Sequence, residues 1–313
     1  MNKLKFAFYW GASCGGCEIA VLDINEKILE VITLADIVFW PVAMDVKYKE
    51  VEAMADNSID VCFFNGAVRT DEQEHMAKLL RKKAKTLVAF GSCACDGCVI
   101  GLGNLWDKET IFERAYIETP STKNPNAVYP KTSITTKEGK LTLPRFYDTV
   151  KTLGQTVDVD YFLSGCPPPV PLILQAVEAI SKNELPPKGS ILMPSKSVCD
   201  ECPREKKDKK LDKLKRIYEL QDDQESCFWD QGVICMGPAT RAGCEAQCPK
   251  VNMPCTGCDG PSPGVVDQGA AIISALASIA TNDEVINQAV DPIGTFYKYS
   301  LANSILRRRV IKK

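Results

Sequence analysis

The feature that most constrains this chain is its cysteines: fifteen in 313 residues, most of them in short groups beside glycine and proline. Thiols grouped in this way make disulfides, zinc sites or iron–sulfur clusters. The N-terminus, MNKLKFAFYW, shows no basic-then-apolar leader with a small-residue cleavage site, so a cytoplasmic chain is expected. Disulfides are disfavoured in that compartment, which leaves metal ligation. A single histidine, His75, nearly excludes histidine-based catalysis and His-rich metal sites. The net charge of −2 offers no field to draw the chain to nucleic acid or an anionic membrane. The longest late apolar run, residues 269–280, is too short to span a bilayer.

The first half alternates short apolar runs with helix-like stretches. Strands are expected at 5–10, 36–42, 60–65, 86–90 and 161–164. Between them, residues 18–32 put Val21, Ile24, Ile28, Val31 and Ile32 on one helical stripe, and 71–84 do the same with Met76, Leu79 and Leu80. Such alternation argues for an α/β fold with a parallel sheet, and ligands of such sheets bind beyond the carboxyl ends of the strands. Residues 118–148 read as loops or a small hairpin. Pro186-Pro187 and Gly189 mark a boundary, giving domains of 1–185 and 186–313. Beyond it lie eight cysteines with few apolar runs around them, so metal clusters are expected to supply the order a core would otherwise give. The lysine-dense stretch 205–216 reads as a solvated helix face. Residues 264–280 read as a closing helix, with Val266, Ile273 and Leu276 available for packing.

Three strand ends deliver four cysteines to one edge of the expected sheet. Cys14-Gly15-Gly16-Cys17 follows the first strand, Gly91-Ser92-Cys93 the fourth, and Gly165-Cys166-Pro167-Pro168-Pro169 the fifth. Four thiolates are what a cubane cluster needs. The glycines let backbone approach a bulky cofactor, the prolines start the next helix, and a helix N-terminus after Cys17 suits an anionic cluster. Cys62 sits inside an apolar strand and reads as core. Cys95 and Cys98 could also offer ligands, but Cys93 follows its strand directly. The second half supplies Cys199, Cys202, Cys227, Cys235, Cys244, Cys248, Cys255 and Cys258, enough for two four-thiolate sites. Zinc accepts such sites as readily as iron–sulfur clusters do, so a zinc-stabilised binding module is the rival of another class.

From Cys14 to about Ala280 these strings resemble the small, electron-transferring subunit of nickel–iron hydrogenases. The matching motifs are Cys14-Gly-Gly-Cys17-Glu18, Gly91-Ser-Cys93-Ala94, Gly165-Cys166-Pro-Pro, Cys235-Met-Gly-Pro238, Cys244 and Pro254-Cys255-Thr-Gly-Cys258. The resemblance implies a flavodoxin-like first domain followed by a small, irregular iron–sulfur domain. It implies a proximal 4Fe–4S cluster on Cys14, Cys17, Cys93 and Cys166. A distal cluster is implied on Cys199, Cys202, Cys227 and Cys235, and a medial one on Cys244, Cys255 and Cys258.

Several positions depart from the family pattern. Cys199 stands where many members have histidine, which adds negative charge and should lower that cluster's potential. Many members carry a three-iron medial cluster, with proline where a fourth ligand would be; here Cys248 is available nearby, so a four-iron medial cluster is expected. Cys98 replaces the second glycine of a pair, and Asn65 replaces a glutamate after the third strand. Glu18 matches; in the family it lies beside the catalytic partner and helps to move protons. The absence of a twin-arginine leader and the string Cys258-Asp-Gly-Pro-Ser-Pro-Gly are most similar to the gamma subunit of the cytoplasmic methanogen enzymes. Within these the resemblance favours the methyl-viologen-reducing type, linked to heterodisulfide reductase, over the sister type that reduces the deazaflavin coenzyme F420. The expected partners are a large subunit that carries the nickel, so that none is in this chain, and a further iron–sulfur subunit with heterodisulfide reductase downstream. No nucleophile–base arrangement or P-loop gives the chain a catalytic role of its own. Related quinone-oxidoreductase subunits share the proximal-type site but generally lack a second cysteine-rich domain.

Overall fold

The computed structural model describes residues 3–207, 209–220 and 223–306. Ten strands occur among them: β1 Leu4–Trp10, β2 Ala35–Phe39, β3 Ile59–Asn65, β4 Val68–Thr70, β5 Ala84–Phe90, β6 Ser133–Thr136, β7 Gly139–Thr142, β8 Phe146–Lys151, β9 Tyr161–Leu163 and β10 Ser190–Ile191. Six form one parallel sheet in the order β10-β9-β5-β3-β1-β2.

Helices cover both faces, which is why these strands are continuously apolar rather than alternating. In β1, Phe6 and Phe8 point to one face and Ala7 and Tyr9 to the other. On the first face Val21, Val31, Leu172 and Ile173 pack on Phe6, Phe8, Phe63 and Phe90. They come from helices Gly16–Leu22, Ile28–Leu34 and Val170–Ser181. On the second face Met76 and Leu80 of helix Asp71–Lys83 join Val51, Tyr9, Cys62, Phe64 and Leu87. Burial of each such side chain contributes about 1.5–3 kcal/mol.

The structure departs from the sequence reading in five places. The stretch 18–32 is two helices rather than one, because Asn25 takes a left-handed φ of 56° and caps Asp23 O with its own amide; Ile32 is left exposed. The second strand stops at Phe39, where Pro41 and the turn of Trp40 onto Ala43 and Met44 end the ladder. Strands β4 and β8 pair antiparallel away from the main sheet. The described residues of the lysine-dense stretch, 205–207 and 209–216, are not helical: Glu205 bridges Ser226, Lys215 N donates to Gly232 O at 2.8 Å, and buried Leu211 bridges Ala280. Val266 is exposed, whereas Leu276 of helix Gln268–Ile279 is buried as expected, with Ile272 buried beside it and Ile273 packed partly buried against the same core.

The second half also has a core of its own. Phe228, Trp229, Val233, Met236, Ile272, Leu276, Val285, Phe296 and Leu301 are buried together. Short apolar groups among the cysteines, such as Phe228-Trp229, meet helix Gln268–Ile279 and the segment after it to build this core. Residues 133–142 form the small hairpin expected there.

Candidate functional site

The carboxyl ends of β1, β5 and β9 lie on the same edge of the sheet, with β3 between β1 and β5, and the loops after them carry Cys14, Cys17, Cys93 and Cys166. Two loops are stitched together by backbone: Gly91 N donates to Leu163 O and Ser92 N to Gly165 O, both at 2.8 Å. Gly91 has φ 83°, and a Cβ there would stand 2.3 Å from the Cys17 sulfur, so only glycine fits. Gly16 N donates to Cys14 Sγ at 3.4 Å. Burial pushes the Cys17 thiol up, with Cys166, Cys14, Glu18 and Cys98 adding to the effect. The Cys166 thiol is held up by its contact with Cys98, by burial and by Asp259.

In the second half, Cys199, Cys202, Cys227 and Cys235 gather around the turn at Gly237. A Cβ on that glycine would meet Cys199 Sγ at 3.1 Å and Cys235 Sγ at 3.6 Å. Burial and the neighbouring thiols of Cys235, Cys227 and Cys202 push Cys199 up to about 12; burial raises Cys235 to about 11. Cys244, Cys255 and Cys258 form a third group: Cys258 is raised by burial, Asp259, Cys255 and Cys244. Cys248 stands exposed on the four-residue helix Gln247–Lys250.

The three groups are contiguous. Cys258 feels Cys166 of the sheet edge, and Cys255 feels Cys235, whose sulfur also accepts the Cys255 N–H at 3.3 Å. All fifteen cysteines are free thiols. Among the described residues no three Cys, His, Asp or Glu side chains converge to hold a single ion, so the thiols are gathered without being clenched around one point. The ligating form of cysteine is the thiolate, and bound iron would stabilise it against the burial that raises these pKa values. Space held open by glycine, N–H donors aimed at sulfur and all-thiol donor sets fit iron–sulfur clusters.

Comparison with known proteins agrees. The family model described as NADH ubiquinone oxidoreductase, 20 Kd subunit, matches residues 14–180. The F420-non-reducing hydrogenase iron-sulfur subunit of Archaeoglobus profundus is 43% identical over 319 residues, covering 99% of each chain. The corresponding F420-non-reducing hydrogenase subunit of Methanothermobacter marburgensis is 38% identical over 323 residues, covering 100% of this chain and 99% of the relative. This chain belongs to the family of F420-non-reducing hydrogenase iron–sulfur subunits. A chain from the crystal structure of an NAD+-reducing NiFe-hydrogenase in the H2-reduced state shares its fold. That chain has a TM-score of 0.51 and 24% identity, over 59% of this chain and 94% of its own. In this hydrogenase subunit, then, residues 14–180 carry the part shared with the 20 Kd family. Among the described residues no helix is long and apolar enough to cross a membrane.

In this member of the F420-non-reducing family, Glu18 is buried and accepts from Trp40 Nε1 and, at 3.2 Å, from Asn65 Nδ2. Burial raises its carboxyl pKa against the pull of those two donors. Asn65 is fully buried, and its Oδ1 has no hydrogen-bond partner. Cys62 lies fully buried in β3, and Cys95 turns its thiol to Ala89 O at 3.3 Å in the same core. Cys98 does not: its sulfur lies 3.7 Å from Cys166 Sγ.

The sequence reading missed the polar frame. Gln268 Nε2 donates to Thr240 Oγ1 and to the carbonyls of Gly257 and Gly260, fixing the loop of Cys255 and Cys258. Arg204 binds the carbonyls of Pro249, Asp223 and Ser226 and the Asn252 side chain, and lies 4.1 Å over the Phe228 ring. Arg204 lies two residues from Cys202, the one local hint of its role; Gln268 is ten residues from Cys258 and carries no such hint.

Proposed function

We propose that this chain is the electron-transferring subunit of a hydrogen-oxidising complex and holds three 4Fe–4S clusters. The proximal set is Cys14, Cys17, Cys93 and Cys166. The medial set is Cys244, Cys248, Cys255 and Cys258, and the distal set is Cys199, Cys202, Cys227 and Cys235. The observation that supports this reading is the succession of thiol-bearing loops, joined where the Ser92 hydroxyl beside Cys93 donates to Cys258 O and where the Cys255 N–H donates to Cys235 Sγ at 3.3 Å. When bound, the clusters supply one-electron redox chemistry, linking hydrogen oxidation at the nickel–iron site of a separate large subunit to a partner iron–sulfur or flavin protein.

The chain's own part is to hold and tune. Gly91 and Gly237 keep the space beside the sulfurs open. The N–H groups of Gly16 and Cys255 donate to sulfur, which favours the reduced, more negative state. Glu18, held at both carboxylate oxygens next to Cys17, is the group that would pass a proton toward the large subunit.

The motif resemblance to the methyl-viologen-reducing hydrogenases leads us to place the chain in a cytoplasmic complex, with the nickel in the large subunit and delivery through a further iron–sulfur subunit to heterodisulfide reductase. The gamma subunit of the coenzyme F420 hydrogenase of Methanosarcina barkeri is 26% identical over only 55% of this chain, which makes the deazaflavin-reducing reading the weaker one. The functional division is taken at 185/186, with β10 tying the second part back to the sheet. Anaerobic metal and sulfide analysis tests the proposal: about twelve irons with matching acid-labile sulfide are expected from three four-iron clusters. Stoichiometric zinc without sulfide would overturn it.

A further inference from the structure

We propose that Asp96 is a redox-linked proton site: it takes up one proton from solvent when an electron occupies an adjacent cluster site and releases it when the electron leaves. This rests on the cluster reading above. Asp96 ends the short helix Ser92–Asp96 and is buried where the two halves of the chain meet. Its Oδ2 accepts from Ser164 Oγ at 3.1 Å and its Oδ1 from Asn303 Nδ2 at 3.3 Å. A Cβ on Gly260 would stand 2.7 Å from Oδ2, so the loop after Cys258 packs directly on the carboxyl group.

Space for water lies on two sides of this carboxyl. A cavity of about 230 Å³ is lined by Asp96, Ser164, Arg241, Asp259 and Asn303 and reaches exposed Gly189 and Ile191, with room for several water molecules. A second space of about 10 Å³, the size of one water, lies between Asp96, Asp267 and Ser300. Each holds a buried polar atom without a hydrogen-bond partner, Asp259 Oδ2 in the first and Ser300 Oγ in the second. Bare buried polar atoms call for water, and water gives a buried carboxyl its route to solvent protons.

The charge of Asp96 is left open. The charged and titratable groups that face it are Arg241, Asp259, Asp267 and, on its own helix, Cys95. The strand β9 and the segment after Leu301 add only Phe162, Ser164 and Asn303. Arg241 gives its Nη1 to Pro194 O at 3.2 Å, and among the described residues no ion pair reaches Asp96. Asp160, comparably buried, is paired with Arg81 and Lys188 and held below the usual range. Burial instead raises Asp96 to about 6, against the pull of Ser164, Asn303 and Arg241. A further negative charge nearby would raise it more.

The hydrogen bonds suit both states. Ionised, Asp96 accepts from Ser164. Protonated, it donates to Ser164 Oγ, whose hydrogen then turns to Ser92 Oγ, 3.1 Å away. Ser92 is bonded to Cys258 O and to Gly165 N, so protonation turns O–H dipoles toward the loops of Cys93, Cys166 and Cys258. The balance is closed: the electron comes from hydrogen oxidation and adds one negative charge, and the new O–H bond on Asp96 removes one. By linkage, electron and proton favour each other by the same factor.

The test uses the complex purified anaerobically, as wild type, Asp96→Asn and Ser164→Ala. Cluster midpoint potentials are followed by EPR between about pH 5 and pH 9. In the wild type a potential should fall as pH rises above about 6. Redox-difference infrared spectra should show a protonated carboxyl band that grows on reduction. Asp96→Asn should remove both effects. A wild-type potential that ignores pH, or a dependence and band that survive in Asp96→Asn, overturns the proposal. Should Asp96→Asn not fold, Ser164→Ala decides: without a donor that favours the carboxylate, the pH dependence should move to higher pH, and an unmoved one overturns it. A wild-type preparation without iron and sulfide would instead sink the cluster reading itself.

Discussion

The Ser92 hydroxyl donates to the carbonyl oxygen of Cys258, 166 residues further along the chain. Ser92 precedes Cys93 at the edge of the sheet, and Cys258 ends the last cysteine pair of the second half. The same hydroxyl accepts from Gly165 N at 3.0 Å, next to Cys166. One side chain thus ties together three cysteine-bearing loops. Ser92→Ala leaves two buried polar groups unpaired and should cost about 1–3 kcal/mol for each. Thermal unfolding followed by circular dichroism should show a lowered Tm; an unchanged Tm would show that the contact is dispensable.

Gly91 tests the packing around Cys17. A methyl group on residue 91 would collide with the Cys17 sulfur and would need a glycine-only φ. Gly91→Ala should abolish proximal iron binding, reducing the total by about one third, while the medial and distal signals persist. Full iron content in this variant would contradict the geometry.

Arg204 gathers three carbonyls and one amide oxygen with a planar, five-donor fork, which lysine cannot reproduce. It links the Cys202 loop, the Cys227 loop and the segment after Cys248. Arg204→Lys should destabilise the chain by about 2–4 kcal/mol, because several buried acceptors lose their donors. Urea denaturation would measure this, together with partial loss of distal iron.

Asp160 sets a pH dependence. Burial raises its carboxyl pKa, but Arg81 at 2.5 Å, Lys188 at 2.7 Å and the Leu87 N–H at 2.8 Å outweigh that and hold it below the usual range. As pH falls, the unfolded chain takes up this proton first, near pH 4, and the folded chain only at lower pH. The stabilisation is therefore whole at neutral pH and lost below about pH 4. Asp160→Asn should cost about 1–3 kcal/mol at pH 7. Its difference from wild type in urea midpoint should shrink as pH drops from 4 toward 3; a constant difference would remove the ionic explanation.

Cys248 decides the type of the medial cluster. If its thiol is the fourth ligand, Cys248→Pro should give a three-iron EPR signal in the oxidised protein and about one iron fewer per chain. An unchanged spectrum would take Cys248 out of the site.

Much of this was readable before any fold was known. The strand–helix alternation of the first half follows from local apolar runs, and it places Cys14, Cys17, Cys93 and Cys166 at one sheet edge because parallel strands all end on the same side. The break at Asn25 was hidden, since one left-handed residue does not disturb an apolar stripe. The core around Phe228, Trp229 and Phe296 was hidden too, since its members come in ones and twos from distant positions.

The sequence alone determined which atoms are available: fifteen thiols, one histidine and glycines wherever a sulfur needs room. Motif order along the chain, a one-dimensional property, was enough to indicate the family. Only the tertiary structure decided which thiols are neighbours. Contacts such as Ser92 to Cys258 and Cys98 to Cys166 join residues far apart in the chain, and no local propensity encodes them. They form when the two cores close on each other and bring the cysteine-bearing loops into one line.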